Sequence, residues 1–208
     1  AIEVVVPELW NLIQNGKVVS FTLLLLRLVV LDFFASQAVT TCMSDLMQAL
    51  SVESSGDGDN PDCPKEQRLV FATATSKSLA WCVASNYTGS HRRRQPQSQS
   101  PTTMHPTTAA AVTTTTRIPS FLVEAAIRDW NHDSVQVRQA ACTFLYNFVI
   151  GHGQELEQDE ETVVSLVCSS LESLVEETDP TTRLRRLLVG ARVVFGVHYC
   201  SHNHSHPQ

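Results

Sequence analysis

The chain has 208 residues, 43% of them hydrophobic, and a formal net charge of −6. That is long and apolar enough to bury one sizeable core, and a single domain is expected. The acidic balance argues against a general nucleic-acid binder, which would be basic overall, and the apolar share argues against a wholly disordered chain.

Helical patterns recur in chain order, separated by short breaks. Pro7 to Asn15 reads as a short helix ended by Gly16. Val18 to Phe34 (VVSFTLLLLRLVVLDFF) is apolar nearly all round, yet it holds Arg27 and Asp32 well inside. Each would cost about 2.5–3.5 kcal/mol near the centre of a bilayer, so Ser20 to Ala35 is expected as a buried helix of a soluble domain and not as a span. Thr41 to Leu50 places Met43, Leu46, Met47 and Leu50 on one face. Residues 51–66 are expected as a loop because SSGDGDNPDCP is turn chemistry throughout, and Leu69 to Asn86 resumes the helical pattern.

From Thr88 to Thr116 the chain is rich in Ser, Thr, Pro and Gln and poor in large apolar residues. Such a segment cannot bury enough surface to offset its ordering entropy, so 88–116 is expected as a disordered insertion. Ser120 to Trp130 forms the next helix. Asp133, with Gln136 at the capping-box position, opens another that runs to about Ile150. Gly151 and Gly153 then lead into an acidic loop, QELEQDEE, before a helix at Val163 to Val175. Asp179 and Pro180 supply an N-cap and an N1 proline for a last helix through about Val197, ahead of a His-rich tail expected to be unstructured. No stretch alternates as a strand would. The fold class expected is all-α, an armadillo-like α-solenoid of stacked helix pairs filling residues 1–200.

The six cysteines, at 42, 63, 82, 142, 168 and 200, contain no CxxC pair. Most lie inside apolar helical patterns, where a free cysteine acts as a small hydrophobe, and this usage points to the cytosol or nucleus. A catalytic thiol needs an accessible electropositive site, and the sequence offers these cysteines no obvious nearby histidine, so no enzymatic role is expected. The alternating histidines of the tail could hold a soft divalent metal only weakly, so neither a metal nor a cofactor is expected. The chain opens on Ala1 without a methionine, and a longer parent protein is expected.

Two segments, LAWCVASN at 79–86 and CTFLYNF at 142–148, are apolar helical runs with an asparagine near the end. An amide offers both a donor and an acceptor to an extended peptide backbone. Asn86 and Asn147 are therefore candidate peptide-binding residues, or else they cap their helices.

VRQAACTFLYNFVI (Val137 to Ile150) followed by TRLRRLLVGARVVFG (Thr182 to Gly196) resembles the PUL domain. FTLLLLRLVVL with Arg27, and SLAWCVASN, are similar to that family's early leucine-rich helix and its middle helix. The resemblance implies an armadillo-type domain of ubiquitin-pathway adaptors such as the phospholipase-A-activating protein, found elsewhere beside thioredoxin or thiol-isopeptidase modules. It implies an adaptor whose basic ridge binds the acidic C-terminal tail of the valosin-containing AAA ATPase; a monomer without contact to nucleic acid or membrane is expected. Arg27, Arg185, Arg186 and Arg192 are the expected cations of that ridge. Arg186, which projects beside Val189 and Val193, would place its guanidinium at the edge of a dry groove. The same arginines could instead pair with Glu176, Glu177 or Asp179. The sequence departs from the family at Cys82, where a basic residue is usual, and at Arg192, where glycine is. The alternative implied is a generic helical scaffold that positions an upstream thiol-dependent deubiquitinase, deSUMOylase or thioredoxin domain.

Overall fold

The computed structural model describes residues 1–52, 71–93, 120–156 and 160–203. The eight elements among them are all α helices: α1 (Ile2–Gln14), α2 (Val19–Phe33), α3 (Gln37–Val52), α4 (Ala74–Arg93), α5 (Ser120–Asp129), α6 (Val135–Leu156), α7 (Glu160–Glu176) and α8 (Pro180–Asn203). No helix among the described residues is long and apolar enough to cross a membrane.

Each helix buries the stripe its apolar spacing dictates. On α1, Val6, Leu9, Trp10 and Ile13 face inward, at i, i+3, i+4 and i+7. Pro7 lies inside this helix and not at its start, so one i→i−4 bond is missing and the helix tolerates the loss. Glu3 ties α1 to the start of α3: its Oε1 accepts the Ser36 hydroxyl at 2.8 Å and its Oε2 accepts the Ala38 N–H at 3.1 Å. The α1–α2 turn uses two left-handed residues, Gly16 (φ 67°) and Val18 (φ 49°).

The helices pack in two successions. α2 packs on α4, α4 on α6 and α6 on α8, while α1 packs on α3, α3 on α5 and α5 on α7. Consecutive helices also pair, α1 with α2, α3 with α4, α5 with α6 and α7 with α8. One buried cluster of side chains joins residues from both successions. Trp81 of α4 meets Phe144 of α6 with ring centroids 5.0 Å apart, and Phe144 stacks on Phe148 at 6.2 Å. Burial of each such side chain contributes roughly 1.5–3 kcal/mol.

Several expected boundaries move. α4 continues beyond Asn86 to Arg93; Tyr87 and Thr88 are buried, and the Thr88 hydroxyl donates to the Ala84 carbonyl at 2.8 Å. The insertion therefore does not begin at 88, and its remainder, 94–116, lies outside the described residues. α3 includes Ser51 and Val52, and the rest of the expected loop, 53–66, lies outside them too. α6 passes through Gly151 and Gly153 to Leu156. Those glycines keep negative φ, since Gly16 is the one described glycine in the left-handed region. α8 extends past Val197 to Asn203, so the tail from His198 to Asn203 is helical, and 204–208 lies outside. The Asp179 cap is as expected, with Oδ2 accepting the N–H and the hydroxyl of Thr182, each at 2.7 Å. α2 is not buried all round. Thr22, Leu23, Leu26 and Val30 are buried, whereas Phe21, Leu24, Leu28 and Leu31 are exposed.

Candidate functional site

Contacts between the even-numbered helices join residues at similar depths from their helix starts. Asn147 Nδ2 of α6 donates to Ser85 Oγ of α4 at 2.7 Å, and Arg185 Nη1 of α8 donates to the Gln139 carbonyl of α6 at 3.1 Å. These bonds tie α4 to α6 and α6 to α8, and the partly exposed sides of α4 and α6 form a candidate face. Cys82, Asn86 and Gly89 mark that face on α4 at helical spacing, each partly exposed, as do Thr143, Tyr146, Asn147 and Ile150 on α6.

Arg27 of α2 and Arg185 of α8 are near enough for their charges to reach Cys82 on α4. Burial pushes the Cys82 thiol above its ordinary value, and the charges of Arg27 and Arg185 both pull against that rise. Asn86 lies one turn beyond Cys82, and its Nδ2 is buried with no hydrogen-bond partner among the described residues. A buried amide N–H left unpaired costs about 1–3 kcal/mol, so an acceptor brought to it from outside would be held there. Arg192, exposed and two turns beyond Arg185, continues the cationic line along α8. Asn147 is committed to Ser85 and stands at the α4–α6 seam.

Arg186 is the correction. Its side chain is 3% exposed and turned into the core, not into a groove. Nη2 lies 2.9 Å from Glu177 Oε2 and also donates to the Trp130 carbonyl, Nη1 donates to the Ser173 carbonyl at 2.8 Å, and the guanidinium sits 5.5 Å above the Trp130 ring. Glu177 also accepts Arg138 Nε at 2.9 Å and Nη2 at 3.0 Å, and the Asp179 N–H at 2.9 Å. Glu177, one of the alternative partners named by the sequence, is the one it takes. The cluster pins the α7–α8 turn onto α5 and α6.

Sequence reading missed a second buried ion pair. Asp129 accepts Trp81 Nε1 at 2.7 Å on one oxygen and pairs with Lys77 Nζ at 3.0 Å on the other, linking α4 to α5. A tryptophan and a lysine one turn apart were its only trace. Burial pushes the Cys42 thiol up to about 12 and the Cys142 thiol up to about 11, the opposite of an activated nucleophile. No group of three or more metal-ligating side chains gathers among the described residues. No protein-family model matches the sequence, and no curated protein or solved structure matches it.

Proposed function

We propose that the chain is a non-enzymatic protein-binding module, an armadillo-like solenoid whose α2–α4–α6–α8 face holds an extended acidic peptide. The observation that carries this reading is the buried, unpartnered Asn86 amide one turn from Cys82, which the charges of Arg27 and Arg185 both reach. Two guanidiniums would take carboxylates, and the amide would take a backbone carbonyl. Successive packing of α2, α4, α6 and α8, with each consecutive pair of helices also in contact, supports an arrangement in which stacked pairs share one core and leave an extended surface. Arg192 extends the cationic line, while Arg186 belongs to the framework. The PUL-like order of helices suggests the peptide: the acidic C-terminal tail of the valosin-containing AAA ATPase, in ubiquitin-dependent turnover in the cytosol or nucleus.

The test is titration of a labelled peptide of that tail against the parent chain, Arg27→Glu, Arg185→Glu and Cys82→Arg. Loss of one charge-assisted hydrogen bond is worth about 1.5–3 kcal/mol, roughly ten- to a hundred-fold in affinity for either charge reversal. Binding should weaken with salt, and Cys82→Arg, which adds a third cation to the same point, should tighten it. Absence of binding by the parent chain, with Cys82→Arg equally inert, would leave the scaffold reading as the better one.

A further inference from the structure

Three glycines have described surroundings, and the fold accounts for two of them. Gly16 turns the chain with a φ of 67°, a conformation that side chains rarely adopt. Gly190 lies where α8 meets α7, and a Cβ built on it would stand 3.0 Å from Ser170 Cβ. Gly89 has neither reason. It sits inside α4, and Gly16 is the one described glycine with positive φ. Apart from its own stretch of helix, a Cβ built on Gly89 would meet a single described atom within 4 Å, Asn147 Nδ2 of α6 at 3.9 Å, which is ordinary contact. Alanine would fit there, and glycine is the weakest helix former after proline. The packing of α4 does not explain the choice.

Its location offers another reason. Gly89 follows Asn86 at i+3 and Cys82 at i+7, so the three share one side of α4, each partly exposed. Asn147, facing it from α6, gives one of its two N–H groups to Ser85 Oγ at 2.7 Å. The missing Cβ thus leaves the main chain of α4 open beside two side-chain amides. Glycine is the residue that lets a ligand come close to a backbone. We propose that Gly89 is a specificity-determining residue of the candidate groove, the point where the main chain of a bound peptide lies directly against α4. The inference rests on the peptide-binding reading of this face and adds to it which part of the peptide is held where. Over Gly89 the peptide is read by its backbone, since an amide pairs with backbone groups whatever side chains flank them. Its carboxylates lie toward Cys82, where the charges of Arg27 and Arg185 reach. Any side chain at position 89 would take the space that the peptide backbone needs.

The experiment reads stability and affinity on the parent chain and Gly89→Ala, by thermal melts of the helical signal and by titration of the same labelled acidic peptide. Gly89→Ala should melt no lower than the parent, because alanine is the better helix former and its methyl meets only Asn147 among the described residues. Its affinity should nonetheless fall roughly ten-fold or more, the effect of a methyl group intruding on a closely packed contact. Stability kept and affinity lost is a combination that a purely structural glycine would not give. A lower melting temperature for Gly89→Ala would show that packing requires the glycine. Equal affinity of the two chains would show that the peptide does not approach it. Either result overturns the inference while leaving the peptide-binding reading in place. Binding by neither the parent chain nor Cys82→Arg removes that reading, and this inference with it.

Discussion

Glu177 and Arg186 form an ion pair at 2.9 Å with side chains 2% and 3% exposed, across the turn that joins α7 to α8. Desolvating two charges is costly, and the cost is met here because neither partner relies on the other alone. Glu177 also takes Arg138 and the Asp179 N–H, and Arg186 also donates to two carbonyls and lies over Trp130. Removing one member of such a cluster strands the rest.

Arg186→Met should therefore lower stability by about 3–5 kcal/mol, the usual cost of leaving a buried charge short of its partner. The urea midpoint of the helical signal reads it directly. Adding Glu177→Gln should return part of the loss, because the stranded charge is gone. At low temperature, where the variant still folds, its affinity for an acidic peptide should equal that of the parent. A large drop in affinity without a drop in stability would restore Arg186 to the groove.

How far this was legible can be judged from the same residue. The helical wheel placed Arg186 beside Val189 and Val193, and both valines are buried. The direction was therefore available, and it pointed inward; what the sequence could not supply was Trp130, a residue brought close only by packing. Asp179 and Pro180 marked their helix start correctly because a cap is a local bond. Gly151 and Gly153 misled for a physical reason. A glycine inside a helix costs about 0.5–1 kcal/mol, a penalty that packing elsewhere on the helix can override, and it ends a helix only where φ turns positive. The reach of the Arg27 and Arg185 charges to Cys82 involves three helices, and the bare face of α2 depends on which neighbours a helix lacks. Neither is a property of any one segment.

The same turn sets the acid limb of stability. Hydrogen bonds from the Thr182 hydroxyl, Gln139 and the Thr182 N–H bring the Asp179 carboxyl down from 3.8 to about 2. Burial alone would raise Glu177, but the Arg138 and Asp179 hydrogen bonds and the charges of Arg186 and Arg138 hold it below its ordinary value. Both groups are more acidic folded than unfolded, so the unfolded chain binds more protons at low pH. Their stabilisation is complete above about pH 5 and is lost as pH falls toward about 2. Urea midpoints should be flat near neutrality and decline through that window, and Asp179→Asn should make the decline shallower. An unchanged acid limb in that variant would show that the cap is not a source of it.

Gly190 decides how closely α8 approaches α7. A Cβ built there would stand 3.0 Å from Ser170 Cβ and 3.3 Å from Ser170 Oγ. Ser170 cannot swing away, because its Cβ is fixed to the backbone and its hydroxyl donates to the Leu166 carbonyl at 2.6 Å. Two effects of Gly190→Ala oppose each other. Alanine gains roughly 1 kcal/mol of helix propensity over glycine, while the added methyl forces the helices apart by a few tenths of an ångström along a packed seam, and overpacking of that kind costs about 1–3 kcal/mol. The second effect wins because the obstruction is not the tip of a flexible side chain. Gly190→Ala should therefore lower the melting temperature despite its better propensity. Ser170→Gly in the same chain should make Gly190→Ala stabilising, because the obstructing Cβ is gone and only the propensity gain remains. Thermal melts of the two single variants and the double variant measure that coupling, and a stabilising Gly190→Ala in the parent chain would mean that α7 and α8 do not cross this closely.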